Sequence, residues 1–197
     1  MWYFTWILGV LLACSLGIIN VLRLEAQEAL ASENTVKDPL TQLLARESVL
    51  ERLQEKVDNS KRNEMPFSLV YISLTDFKIK HHLEPHEMDT TLLRVVESIK
   101  HDIRLGLDIA ARVGEEDFLL AIPGIPLDRA EIIANRIKRN VFVNVMTPSK
   151  IAVSVGIGYV EYSSHTDAIA EEVAMGMSEV EALLSIAIGK CFESTMA

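Results

Sequence analysis

The first 22 residues, Met1 to Leu22, carry no charged side chain, and this run constrains the chain more than any other feature. As a helix it would rise roughly 33 Å, at about 1.5 Å per residue, which matches a hydrocarbon core of about 30 Å. Aromatic residues at its start suit the head-group region, and Arg23 follows its end. Because no positively charged side chain precedes the helix, the positive-inside bias predicts an outside N-terminus and a cytoplasmic C-terminal domain. We therefore predict a single transmembrane helix over residues 1–23.

A cleaved signal peptide is the alternative, since Leu11-Leu12-Ala13-Cys14 resembles a lipoprotein cleavage site. Two features oppose cleavage. No basic segment precedes the apolar run, and the run continues past Cys14 to Leu22. The segment is therefore interpreted as a retained anchor.

Small residues recur on one face of this predicted helix, at Gly9, Ala13 and Gly17. In lipid such a stripe permits close approach of another helix, although small residues are also common in membrane helices generally. The stripe by itself leaves chance and a docking face equally open.

The order of residues over the first 25 positions is more specific. It runs Met1-Trp2-Tyr3-Phe4, Trp6-Ile7-Leu8-Gly9, Leu11-Leu12-Ala13-Cys14 and Leu24-Glu25, and it resembles the small X subunit (CydX) of the cytochrome bd ubiquinol oxidases. The resemblance implies docking on the large subunits I and II in the bacterial inner membrane, with the N-terminus in the periplasm. It also implies haems b and d in the partner and no cofactor or chemistry in this chain. The docking residues that it implies are Trp6, Gly9, Ala13, Gly17 and Glu25.

Composition limits the kind of domain that the rest of the chain can form. The net charge of −9 argues against a nucleic-acid surface and against a domain pressed onto anionic lipid. A hydrophobic content of 49% indicates a globular domain. The two cysteines, Cys14 and Cys191, are too few for a disulfide scaffold and fit a reducing compartment.

Good helix formers in residues 24–37 predict a helical linker, and residues 38–197 alternate helical and strand patterns. Periodicity predicts helices over 47–57, 92–103 and 132–137 and near the C-terminus. Strands are predicted over 67–72, 108–112 and 118–122, and 151–159 is predicted as a central strand. This order predicts a βααββαβ core, an α/β fold (an α+β sandwich) in which helices cover a mostly antiparallel sheet.

Several motifs in this domain occur in a characteristic order: Asp38-Pro39-Leu40-Thr41, Asp76-Phe77-Lys78, His86, Arg112-Val113-Gly114-Glu115-Glu116-Asp117-Phe118 and Val153-Ser154-Val155-Gly156-Ile157. In that order and spacing residues 38–197 resemble the GGDEF (diguanylate cyclase) family. The resemblance implies a nucleotide-cyclase-like fold. The enzymes of this family condense two GTP molecules across a dimer, with carboxylates holding divalent metal on the triphosphate.

The chain departs from the family pattern where metal and phosphate would bind. Ser73 and Thr75 stand in place of two aspartates, and Glu115 stands in place of the second glycine. A hydroxyl is a poor ligand for a hard cation, and a carboxylate at Glu115 repels phosphate. Glu116 matches the acidic metal ligand, and Asp117 is one methylene shorter than the usual glutamate. Residual nucleotide or metal contacts are therefore expected only from Glu116, Asp76 and Lys78.

Base recognition and product inhibition are altered as well. His81 and Thr90 replace the asparagine and aspartate that read guanine in the family, and Thr195 replaces a phosphate-binding lysine. The inhibitory arginine position, three residues before Asp108, holds Leu105, and the adjacent Arg104 is expected to point to a different face from that position. Cyclase activity is therefore not expected.

Histidines at 81, 82 and 86 also suggest a metal site, because His82 and His86 would share a helix face. Pro85 lies between them and opposes a regular helix, so a polar loop is the favoured interpretation and no metal site is predicted.

These observations predict an accessory subunit of a cytochrome bd-type oxidase with a catalytically inactive GGDEF domain of regulatory or structural role. The alternative is a membrane-anchored signalling protein that binds GTP or cyclic di-GMP, with a possible homodimer and residual cyclase activity.

Overall fold

The computed structural model describes Tyr3 and Ile7 and residues 36–74, 83–104, 106–163 and 167–196; the side chains of residues 167, 168, 195 and 196 are outside that description. The chain divides into two compact units, Met1–Thr35 and Val36–Ala197. Tyr3 and Ile7 are helical. Within the described ranges, no helix has the length and apolar character needed to cross a membrane. Apart from Tyr3 and Ile7, the predicted span 1–23 and the linker up to Thr35 lie outside the described residues.

The second unit alternates helices and strands in the predicted order. Its described elements are α1 (Arg46–Asn63), β1 (Phe67–Ser73), α2 (Pro85–Asp102), β2 (Ile109–Arg112), β3 (Asp117–Pro123), α3 (Leu127–Asn144), β4 (Gly156–Tyr162), α4 (Asp167–Ala174) and α5 (Glu179–Met196). Apolar residues spaced by about one helical turn explain the helices, as Val49, Leu53 and Val57 do in α1. Pro85 is the first residue of α2, where its fixed φ suits a helix start and its missing N–H costs nothing.

The four strands form one antiparallel sheet in the order β2-β3-β1-β4. β1 is buried along its whole length, because helices cover both faces of the sheet. Val70 and Ile72 pack towards α2 and α3, whereas Leu69 and Tyr71 pack towards α1 and α5. The predicted α/β sandwich with a mostly antiparallel sheet is confirmed.

The prediction of a central strand over residues 151–159 is wrong. β4 begins only at Gly156, and within the described sheet it is an edge strand that pairs with β1 alone. Residues before it contribute an isolated bridge between Ala152 and Met146 instead. The small, apolar residues of this stretch are buried by α3 and α5 rather than by a second neighbouring strand. Burial by these helices produces the same hydrophobic pattern in the sequence as a central strand would.

Of the two helices predicted between β1 and β2, the described residues contain one, α2. Residues 75–82 lie outside the description.

At Gly158, β4 and α5 approach each other closely. A Cβ atom at this position would overlap the carbonyl oxygen of Ala187 and lie 2.5 Å from the amide nitrogen of Cys191. Both are main-chain atoms of α5, so only glycine lets this helix pack on the strand at this distance.

Candidate functional site

The signature segment predicted from the sequence forms the turn between β2 and β3, at the edge of the sheet where β1 ends. Ser73 is the last residue of β1 and pairs with Asp117 on one side and with Gly156 on the other. The amide of Leu74 donates to the carbonyl of Glu116 at 3.0 Å. The register therefore places the first-strand position and the acidic turn directly beside each other, as the motif order predicted.

Arg112 holds this turn in shape. Its guanidinium donates to the carbonyls of Gly114 (3.2 Å) and Glu115 (2.7 Å). It also forms a salt bridge with Asp38 at 3.3 Å, with side chains only 16% and 17% exposed. Asp38 in turn accepts hydrogen bonds from the amide and the hydroxyl of Thr41, both at 2.7 Å. The segment at the start of the domain and the signature turn are thus one hydrogen-bonded unit.

Burial opposes ionisation of Asp38, but the hydrogen bonds from Thr41 and the charge of Arg112 outweigh it and hold its pKa below the ordinary value. A lowered folded-state pKa adds stability above the ordinary carboxyl pKa of about 4, and this stability is lost as the pH falls through the folded value.

We expect Asp38→Asn to lower the free energy of unfolding by roughly 1 kcal/mol at pH 7. Below about pH 4 the variant should lose less stability on further acidification than the unaltered chain does. Urea unfolding of both chains from pH 7 to pH 3 measures this. Parallel curves for the two would contradict it.

The carboxylate of the half-buried Asp117 is directed towards side chains of β1. One of its oxygens accepts a hydrogen bond from the Ser73 hydroxyl at 2.6 Å, and the Tyr71 hydroxyl also hydrogen bonds to it. Its other oxygen lies so close to Gly114 that a Cβ atom there would overlap it. We call Tyr71, Ser73, Asp117 and the neighbouring Cys191 the Asp117 cluster.

Two groups of the Asp117 cluster are held in their neutral forms. Burial, and then the charge and hydrogen bond of Asp117, raise the pKa of Tyr71 well above its ordinary value. Burial, followed by the same carboxylate, raises the pKa of the Cys191 thiol to about 11. Cys191 is therefore a protonated, unreactive thiol at neutral pH, and Tyr71 remains a hydrogen-bond donor.

The arrangement does not fit the metal that the family motif implies. The position that would supply an anionic oxygen from β1 holds the Ser73 hydroxyl, which is bonded to Asp117. Glu115 is exposed and Glu116 is half-buried. Within the described part of the chain, no three histidine, cysteine or carboxylate side chains are grouped so that they could hold a metal ion. Asp76, Lys78 and Thr75 lie outside the described residues.

Arg104, beside the inhibitory position, is paired with Asp108. Its guanidinium reaches the Asp108 carboxylate at 2.8 Å, and its amide donates to the same side chain at 2.7 Å. The chain turns through Gly106, whose φ of +86° brings residues 104 and 108 together. The two charges neutralise each other. Leu105 lies outside the described residues.

The remaining predicted site residues lie apart from the signature turn or outside the description. Thr90 donates to the carbonyl of His86 within α2, so its hydroxyl is engaged by its own helix. The ammonium of Lys190 lies 6.0 Å from the ring centre of Tyr159. His81, His82 and the Thr195 side chain lie outside the described residues, and so do Trp6, Gly9, Ala13, Gly17 and Glu25.

Comparison with known families agrees with this geometry. The family model for the diguanylate cyclase GGDEF domain matches residues 35–181. The chain belongs to this family. A second model, for membrane-bound YbgT-like proteins, matches residues 1–27, just ahead of the GGDEF domain.

Individual relatives divide in the same way. The first part is 66% identical over 29 residues to cytochrome bd-I ubiquinol oxidase subunit X of Escherichia coli, covering 15% of this chain and 78% of that protein. The GGDEF domain is 31% identical over 105 residues to the uncharacterized protein YhcK of Bacillus subtilis, covering 51% of this chain and 29% of YhcK. It is 28% identical over 127 residues to the bifunctional diguanylate cyclase/cyclic di-GMP phosphodiesterase MucR of Pseudomonas aeruginosa. This match covers 64% of this chain and 18% of MucR. The chain thus spans less than a third of the length of these two relatives.

Solved structures share the fold. The FimX GGDEF domain from Pseudomonas aeruginosa superposes with a TM-score of 0.69 at 15% identity, over 81% of this chain and 93% of that chain. The coiled coil and GGDEF domain of DgcB from Caulobacter crescentus, solved with c-di-GMP, gives a TM-score of 0.69 at 19% identity. This superposition covers 96% of this chain and 94% of the DgcB chain. At these identities the likeness concerns the fold alone.

Sequence reasoning missed Tyr71 and Cys191 as partners of Asp117. Tyr71 and Ser73 are two residues apart on one strand, so their side chains share a face of the sheet, and this signal was present in the sequence. No such spacing connects Cys191 to them, because it reaches the cluster only through the packing of α5 on β4.

Proposed function

We propose that the chain is an accessory subunit of a cytochrome bd-type ubiquinol oxidase, anchored in the membrane by its first part. The observation that carries the proposal is the 66% identity to subunit X, which extends over 78% of that small protein. A match over more than three quarters of that subunit supports the same docking role here. The predicted stripe of Gly9, Ala13 and Gly17 would face the haem-bearing large subunits, with Trp6 and Glu25 nearer the two ends.

We further propose that the GGDEF domain does not synthesise a cyclic dinucleotide and has a regulatory or structural role on the cytoplasmic side. Phosphoryl transfer in this family requires anionic ligands for divalent metal. In this chain Ser73 replaces one such ligand and occupies an oxygen of Asp117. Glu115 adds a negative charge in the turn where a phosphate would approach.

A second candidate is a membrane-anchored signalling protein that binds GTP or cyclic di-GMP. It is favoured by the retention of Glu116 and by the similarity to MucR, a bifunctional cyclase and phosphodiesterase. Micromolar binding of GTP that requires magnesium, measured by calorimetry on the purified chain, would favour this candidate, whereas absence of magnesium-dependent binding supports an appendage to the oxidase.

The proposal predicts that the full chain, tagged at its C-terminus and purified in mild detergent from native membranes, brings a haem b and d spectrum with it. Replacing Gly9, Ala13 and Gly17 together by leucine should lower the haem recovered by at least about tenfold, because each added side chain separates the helices. The control is Ser15→Leu, which introduces the same side chain on the opposite side of a helix and should retain haem.

Two results would contradict the proposal. One is purification of the unaltered chain without haem. The other is formation of cyclic di-GMP from GTP and magnesium by the same preparation at rates of about 1 per second or faster, as working enzymes show.

A further inference from the structure

Away from the signature turn, the second unit contains a groove between α3, β4 and α5. It consists of two neighbouring cavities of about 380 and 280 Å³ that share Asn135 and Lys138 in their walls. Pockets for small organic ligands typically measure about 300–1,000 Å³. The groove is therefore large enough for a ligand of nucleotide size, and it shares no residue with the Asp117 cluster.

Three cationic side chains line this groove: Lys138, Arg139 and Lys190. Lys138 lies 3.3 Å from the Ser194 hydroxyl, and Lys190 lies over the Tyr159 ring. Among the described residues, none of these cations lies within 4 Å of a carboxylate, whereas other cations of the domain, such as Arg112, form salt bridges. In a chain with 28 acidic and 19 basic residues, three neighbouring cations without an acidic partner favour an anionic ligand.

Carboxylates are confined to the larger cavity. Glu131 and Glu193 line it, and Glu131 accepts a hydrogen bond from the Tyr159 hydroxyl. The smaller cavity has no carboxylate in its wall; beside Lys138 and Arg139 it presents Asn135 and Ser154. The smaller cavity is therefore the part of the groove that suits a phosphate group.

An aromatic ring lies beside these cations. Phe142 lines the smaller cavity and is 58% exposed, next to the buried Val155. Aromatic and apolar surface at a cationic cavity offers a stacking face for a flat ring.

We propose that this groove binds a nucleoside phosphate without a metal ion. Lys138 and Arg139 contact the phosphate, Asn135 and Ser154 add hydrogen bonds, and the base packs on Phe142. The positive charge for the phosphate comes from the protein, so this binding requires no metal ion. This site is independent of oxidase docking, and either can hold without the other.

The test uses the full chain in detergent with EDTA and titrates fluorescent (mant) ATP and GTP. We expect saturable binding that unlabelled nucleotide and inorganic tripolyphosphate both displace. Lys138→Gln and Arg139→Gln should each weaken binding by about tenfold or more, since each removes a charged hydrogen bond. Phe142→Ala should weaken binding of nucleotide but not of tripolyphosphate. The matched control is Arg129→Gln, an exposed arginine of the same helix outside the groove, which should bind normally.

Several outcomes would overturn the proposal. One is that millimolar nucleotide does not saturate the chain, and another is that Arg139→Gln binds nucleotide with unchanged affinity. A third is binding that needs magnesium and is lost in Glu116→Gln, because this result would place the ligand at the signature turn. Displacement by polyglutamate but not by unlabelled nucleotide would instead indicate an acidic peptide. Arg139 is exposed, so Arg139→Gln should leave the packing of the groove intact. It therefore tests the phosphate contact even if Lys138→Gln disturbs the contact with Ser194.

Discussion

Gly158→Ala is expected to destabilise the domain by about 3 kcal/mol or more, which for a domain of this size lowers the melting temperature by roughly 6–12 °C. The added Cβ would overlap main-chain atoms of α5 at Ala187 and Cys191. A side chain could rotate away from such a contact, but a helix backbone cannot, so α5 must separate from β4. Helix α5 also supplies Cys191 to the Asp117 cluster, and we therefore expect the thiol to become accessible to alkylating reagents in this variant.

The chain provides a matched control in Gly189, on the same helix. A Cβ there meets nothing within 4 Å, so Gly189→Ala should stabilise the chain by about 0.5–1 kcal/mol through helix propensity. Both variants are best followed by circular dichroism, because the two tryptophans, Trp2 and Trp6, lie in the first unit. Equal melting temperatures for the two alanine variants would show that the close approach of β4 and α5 is not real.

Ser73→Asp is the second change with a large expected effect. It places a carboxylate next to that of Asp117, which lies 2.6 Å from the Ser73 hydroxyl. In this partly buried site the repulsion should cost about 2–4 kcal/mol when divalent cations are removed by EDTA. Millimolar magnesium should recover much of this loss, since a cation between the two carboxylates binds only the folded form. Urea unfolding with and without magnesium measures both effects.

The control for this prediction is Ser73→Asn, which has nearly the same shape without the charge. It should be milder and insensitive to magnesium, because its amide can still donate to Asp117. If Ser73→Asp were as stable as the unaltered chain in EDTA, the inward position of the Asp117 carboxylate would be wrong.

The sequence predicted the elements whose pattern depends on local spacing. Val49, Leu53 and Val57 recur at helical intervals, and helix α1 contains all three. Phe67 to Ile72 is an unbroken apolar run of strand length, and β1 is buried on both faces. The position of β4 could not be predicted in this way, because a strand at the sheet edge that is covered by two helices has the same hydrophobic pattern as a central strand.

The sequence predicted only part of the candidate site. The family resemblance assigned the Ser73 position and Glu116 to one metal site, and the register of β1 with β3 places Ser73 opposite Asp117, next to Glu116. Which way the Asp117 carboxylate points depends on the Tyr71 hydroxyl and on the close contact with Gly114, and neither is visible in a residue pattern. The groove beside α3 escaped prediction altogether, since Lys138, Phe142 and Ser154 come together only through tertiary packing.

The first residues of the GGDEF domain are joined to its most distinctive turn. The amide of Val36 donates to the Ser48 hydroxyl and its carbonyl accepts from Ala45, while Asp38 is paired with Arg112. A pull or twist applied to the chain at Val36 would therefore reach the backbone of Glu115 through the side chains of Asp38 and Arg112. It would reach β2 as well, because the backbone of Leu44 is hydrogen-bonded to Ala110 and Arg112. A mechanical input from the preceding segment would act on this turn and on the edge strand β2 together.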